Sequence, residues 1–257
     1  KYVTVIIDLT GPRAGNGTAR LLDMVEGRSK QVFKTWLSER DQAWRDAVEV
    51  VAMDGFTGFK TATTEELPDA VAVMDPFHVV RLAGDALDRC RRRIQQDLHG
   101  HRGRSGDPLY SARRTLHTGT SLLTDKQKTR LDALFADDQH VQVEATWAAY
   151  QRMITAYREP DPARGRDLMR ALITSLSSGV PAVLTELRTL GRTLKQRATD
   201  VLAYFDRPGT SNGPTEAING RLEHLRGSAL GFRNLTNYIA RSLLETGGFR
   251  PQLHPGL

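Results

Sequence analysis

One cysteine, Cys90, occurs in 257 residues. A lone cysteine excludes an internal disulfide framework and any zinc site built from several cysteines. No apolar run approaches the roughly 20 residues that cross a bilayer, so no membrane segment is read. No secretory leader is read either, because the opening KYVTVII reads as a strand and lacks a small-residue cleavage site. These absences point to a reducing, cytoplasmic setting. The first residue is not methionine and a strand begins almost at once, so the chain is expected to be a fragment. Between Pro76 and about Phe205 strand signals vanish, and no internal repeat is evident.

What remains is a composition suited to a globular protein: 39% hydrophobic residues in a chain long enough to bury a real core, as one large domain or two smaller ones. The formal net charge is +6 and is biased toward arginine. Arginine makes paired hydrogen bonds to phosphate, so this excess suits a nucleic-acid partner, although many basic proteins bind none.

Tyr2 to Leu9 is rich in β-branched and aromatic residues and predicts a strand. GPRAGNG predicts a turn, and Ala19 to Val25 a second strand that pairs back as a hairpin. Ser29 is placed to cap a helix to about Arg40, with Val32, Phe33, Trp36 and Leu37 on one face. Val48 to Met53 and Ala70 to Met74 are short apolar runs, read as buried parallel strands, with a short helical turn holding Phe56 and Phe59 between them. Helical periodicity then marks Thr124 to Ala136, Val141 to Tyr157, Arg166 to Leu176 and Pro181 to Phe205. A final pattern runs from Thr215 to Leu225, breaks near Gly227 and resumes from Gly231 to Glu245; the tail from Gly247 reads as poorly ordered. The expectation is an α/β core at 1–84, a helical block at 85–205, helices returning to the core at 206–246, and a tail at 247–257.

Asp54 and Asp75 each follow an apolar strand, and a parallel pair would bring both to one sheet edge, where open α/β sheets bind ligands. Either can equally be a turn or helix cap, Asp75 above all because it precedes Pro76. Glu216 falls just inside a predicted helix after SNGPT, where the helix dipole welcomes a negative charge whatever its role. Asn219, Arg221 and Arg226 follow it. His78 reads as a core histidine in preference to a DNA contact.

Three segments then stand out together: VVAMDGFTGF, AVMDPFHVVRLAGDALDRCRRR and TSNGPTEAINGRLEHLRGSALGFRNLTNYIARSL. They resemble the DDE transposases of bacterial insertion sequences, in particular the ISL-three group, and the opening YVTVIIDLTGPRAGNGTARLLDMVEGRS resembles that group's early hairpin. The resemblance implies an RNase H-like mixed sheet with a large all-helical insertion before the last catalytic helix. It implies metal-dependent DNA strand cleavage and strand transfer, with two Mg²⁺ or Mn²⁺ ions held by two aspartates and a glutamate. Asp54 would be the second acid and Glu216 the closing one, while Asp75 lies in a family motif outside that triad. The first aspartate belongs on a strand that would lie upstream of residue 1, and Asp8 is a poor substitute. The fragment is therefore expected to bind DNA but to transfer strands weakly or not at all. Arg81, Arg89, Arg92, Arg221, Arg226 and Arg233 are candidates for phosphate contacts, which position DNA without reading its sequence; the Arg91–Arg93 run can equally be a solvated helix face. Phe232 is expected to pack in the core in preference to stacking on a base. The partners implied are transposon ends, target DNA and further copies of the chain. The alternatives are a non-catalytic DNA-binding remnant and another RNase H-like nuclease.

Overall fold

A computed structural model describes residues 2–249. Its elements run in the order β1 (Val3–Asp8), α1 (Thr10–Ala14), β2 (Arg20–Glu26), α2 (Lys30–Ser38), α3 (Gln42–Asp46), β3 (Val50–Met53), α4 (Thr57–Glu66), β4 (Val71–Met74), α5 (Pro76–His99), α6 (Pro108–Ser111), α7 (Arg113–Leu116), α8 (Asp125–Phe135), α9 (Val141–Arg158), α10 (Pro162–Ser177), α11 (Thr185–Gln196), α12 (Ala198–Asp206), α13 (Gly213–Ser228) and α14 (Leu235–Thr246). The chain divides into two compact units. One takes the chain up to Asp75 and again from Gly209 onward; the other is Pro76–Pro208.

In the first unit all four strands are found. β1 and β2 pair antiparallel, with a register shift between Ile6 and Ile7. β3 and β4 pair parallel from Val50↔Val71 to Met53↔Met74. Among the described residues these make two separate two-stranded sheets, not the single mixed sheet expected. Alternation of side chains about the strands gives the hairpin two apolar faces. Leu21 and Met24 are buried with Ile218 and Leu222 of α13, and Val3, Val5, Ile7, Tyr238, Ile239 and Leu243 pack around them. On the other face Ile6, Leu22 and Val25 meet Trp36 and Leu37 of α2, and the same cluster takes in Val51 of β3. Trp36 therefore lies in a cluster shared by both sheets. Its indole Nε1 donates to Asp23 at 2.8 Å, which satisfies the polar atom that burial would otherwise strand.

Local chemistry explains the boundaries. The Ser29 hydroxyl accepts from the Val32 N–H and starts α2, as its sequence position predicts. GPRAGNG is not a simple turn. Thr10–Ala14 forms a short helix that closes at Gly15, whose φ of 67° is the left-handed conformation glycine adopts without a Cβ penalty. The expected turn around Phe56 and Phe59 is a full helix, α4, because Phe33, Phe56 and Phe59 pack edge to face and reward its extension.

The second unit is helical, and α5 is its spine. Thr124 and Gln127 form a reciprocal capping box at the start of α8. Helix α10 begins at Pro162, earlier than periodicity suggests, with Asp161 as its cap. The single helix expected from Pro181 to Phe205 is two, α11 and α12, and Pro181 lies before both. The break falls at Arg197, which is buried and bonds Asp200 at 2.6 Å. Where α10 meets α11 the approach is so close that a Cβ on Gly191 would overlap the Leu176 carbonyl. Among the described residues no helix is long and apolar enough to cross a membrane. Residues 250–257 of the expected tail lie outside the described residues.

Candidate functional site

The parallel ladder sets the geometry. Met53 pairs with Met74, so the next residues, Asp54 and Asp75, leave the same end of β3 and β4. The Asp75 N–H donates to the Met53 carbonyl at 3.0 Å, extending the ladder by one bond. The Asp75 side chain is 5% exposed, and its Oδ1 accepts from the Asn212 N–H at 2.8 Å. Asn212 is the N-cap of α13, and its carbonyl accepts from the Glu216 N–H at 3.0 Å. Three successive hydrogen bonds thus connect the residue before Asp54 to the backbone of Glu216. A second tie, from the Arg13 guanidinium to the buried Thr210 hydroxyl at 2.8 Å, holds the approach to α13.

Asp54 itself is partly open. Its Oδ1 accepts from the Phe56 N–H at 3.0 Å, an aspartate turn that starts the path into α4. Its Oδ2 faces Arg28 at 3.7 Å, with both side chains well exposed. The Arg28 guanidinium also lies 5.8 Å from the Phe56 ring centroid. Glu216 is exposed in the first turn of α13, where the unpaired N–H groups favour its charge. Asp8 is engaged elsewhere: its carboxylate accepts from the Thr10 N–H and from Arg20 Nε, each at 2.8 Å. Burial is the largest influence on Asp8 and pushes its carboxyl up. Hydrogen bonds from Thr10 and Arg20 together outweigh burial and bring the group below its ordinary value.

Metal ions of the magnesium class take oxygen ligands from carboxylates, substrate and water. Among the described residues no three His, Cys, Asp or Glu side chains form a group able to hold an ion. One oxygen of Asp54 serves a backbone N–H and the other faces a cation, so the described residues alone do not fit a complete metal centre.

The candidate phosphate contacts divide between the units. On α5, Arg81, Arg89 and Arg92 are exposed, but Arg92 is paired with Asp88 at 3.1 Å. The Arg91–Arg93 run is not one solvated face. Arg91 is 4% exposed and donates to Gln95, and Arg93 bonds Glu186 at 2.8 Å. The run winds around the helix, and burial selects its members one by one. In the first unit Arg221, Arg226 and Arg233 are exposed, with Arg226 paired to Glu223 at 2.7 Å. His78 is half-buried, not a core histidine. Phe232 is half-buried, not in the core, with its ring 5.0 Å from Tyr238.

The sequence reading missed two contributors. Asp75 joins strand to helix, a role that neither its expected place at the sheet edge nor its position before Pro76 signals. Arg28 sits in the loop between β2 and α2, where no spacing marks it as the cation beside Asp54.

A family model described as "Transposase", that of the DDE transposases of the ISL-three group, matches residues 1–242. The chain belongs to that family. It is 26% identical over 276 residues to the transposase for insertion sequence element IS1557 of Mycobacterium tuberculosis, an alignment covering 100% of this chain and 59% of that relative. It is 24% identical over 239 residues to the transposase for insertion sequence element IS1001 of Bordetella parapertussis, covering 91% of this chain and 54% of that protein. The chain thus spans little more than half the length of these relatives. No solved structure matches it. The two segments that carry the site, VVAMDGFTGF and SNGPTEAINGR, both lie inside the matched family region.

Proposed function

We propose that this chain is the catalytic part of an insertion-sequence transposase that cuts and joins DNA strands with divalent metal, Mg²⁺ or Mn²⁺. Asp54 and Glu216 would contribute two of the carboxylates, and a further acidic group from outside the described residues would complete the set. Arg28 would release Asp54 as that set forms. The two sheets would belong to one RNase H-like core in which another strand, carrying that acid, bridges them. Their shared cluster around Trp36 supports this, because a common apolar cover is what neighbouring strands of one sheet require. The helical unit would be the insertion before the glutamate-bearing helix. DNA would be held through phosphate by exposed arginines of both units.

The observation that carries the reading is the hydrogen-bonded path from Met53 through Asp75 and Asn212 to Glu216. It draws the helix that carries Glu216 to the strand end that carries Asp54, although 162 positions separate the two acids in the sequence (216 − 54). The test uses the protein as it occurs naturally, with DNA from the ends of its element. Asp54→Asn and Glu216→Gln should each abolish cleavage in Mn²⁺ while leaving DNA affinity within a few-fold, and each should weaken Mn²⁺ binding in a calorimetric titration. Glu216→Gln protein that cuts and binds metal as well as the parent would refute the assignment. Parent protein that binds DNA and never cuts would favour the non-catalytic reading.

A further inference from the structure

The turn between α13 and α14 carries an unusual residue. Helix α13 ends with the Leu230 N–H donating to the Gly227 carbonyl at 3.0 Å and the Gly231 N–H donating to the Arg226 carbonyl at 2.8 Å. This paired arrangement places Leu230 at the position where helices normally use glycine. Leu230 has φ 53°, the one non-glycine residue with positive φ among those described. The residue is also 98% exposed. A leucine gains nothing there from burial, and its Cβ is disfavoured by the backbone. Neither packing nor turn chemistry explains its presence, which makes a functional reason the stronger inference.

The surroundings indicate what it meets. From residue 221 to 241 the chain carries Arg221, Arg226, Arg233 and Arg241 against a single acid, Glu223. Arg221, Arg226 and Arg233 are exposed, and among the described residues neither Arg221 nor Arg233 enters a salt bridge. The turn is fixed as well as charged. Phe232 packs on Tyr238, and the Asn234 side chain caps α14 by accepting from the Thr236 N–H at 2.8 Å. A bare apolar tip on a segment rich in exposed arginines suits the way proteins wedge a side chain between base steps while cations hold the phosphates.

We propose that Leu230 is a DNA wedge: it enters the base stack of bound duplex and unstacks one step, with the neighbouring arginines on the flanking phosphates. This rests on the reading that the chain binds DNA, and adds a positioning residue to it. Pyrimidine–purine steps, the easiest to unstack, are the expected entry points.

The test measures the full chain against short duplexes carrying 2-aminopurine at successive positions, including TA and CA steps. Aminopurine fluorescence reports unstacking, and anisotropy of an end label reports affinity. Leu230→Gly suits the backbone better than leucine, so loss of signal in it cannot come from a failed turn. The parent should raise the fluorescence several-fold at one step or a small group of steps. Leu230→Gly should bind within a few-fold of the parent and give no rise, while Leu230→Met should keep most of it. Binding by the parent with no rise, or an equal rise with Leu230→Gly, would overturn the wedge and leave DNA binding standing. A parent that does not bind duplex at all would overturn the DNA reading and the wedge with it.

Discussion

Replacing Asp75 by alanine should destabilise the chain more than replacing Asp54, although Asp54 is the residue assigned to chemistry. Asp75 is 5% exposed, and its carboxylate accepts the Asn212 N–H at 2.8 Å. Hydrogen bonds to charged groups contribute about 1.5–3 kcal/mol. Part of that is returned, because a buried carboxylate no longer has to be desolvated. A net cost of about 2 kcal/mol follows, or a fall in Tm of about 4–8 °C for a chain of this size. Asp54 is different: its ion pair, 3.7 Å long between exposed groups, is of the kind that adds nothing measurable, so its loss leaves only the bond to the Phe56 N–H, worth about 1 kcal/mol, as a helix cap is. Thermal unfolding followed by circular dichroism compares the two. Amide hydrogen exchange localises the effect. In Asp75→Ala the Asn212 and Glu216 amides should lose protection while those of β3 and β4 keep theirs, and Asp75→Asn, which retains an acceptor, should restore much of it. Unchanged protection at Asn212 in Asp75→Ala, or a larger loss of Tm from Asp54→Ala, would refute the role of Asp75 as the tie between strand and helix.

Two further expectations concern the helical unit. Asp88 is held at about 2, chiefly by the hydrogen bond from His117 and then, against burial, by Arg91. Its folded pKa lies below the unfolded value, so its stabilisation is complete above about pH 4 and is lost as pH falls toward 2. Asp88→Asn should flatten that acid limb in urea unfolding measured from pH 5 to pH 2, and an unaltered limb would contradict it. Gly191→Ala forces a Cβ onto the Leu176 carbonyl, so α10 and α11 must part. Overpacking of this kind costs about 1–3 kcal/mol, and a Tm equal to the parent's would show the crossing to be looser than described.

Periodicity and turn chemistry made much of the local structure legible. A β-branched run gave β1, short apolar runs gave β3 and β4, which read correctly as a parallel pair, and Ser29 gave the start of α2. Where the reading failed, burial or packing had overridden local signals. Helix α12 starts anew because Arg197 is buried against Asp200, a pairing no periodicity encodes. Arg91 was grouped with its charged neighbours, yet the helix turns it inward to Gln95.

By itself the sequence determined the family and the main run of strands and helices, and it singled out Asp54 and Glu216 as candidates, because each depends on residues near one another in the chain or on a pattern of motifs. The tertiary structure alone decided that Asp75, which the sequence offers as a cap or a sheet-edge carboxylate, joins β4 to the helix of Glu216, and that Leu230 stands bare on a strained turn. A hydrogen bond across 137 positions and the exposure of one side chain are properties of the folded arrangement, and no local pattern carries them.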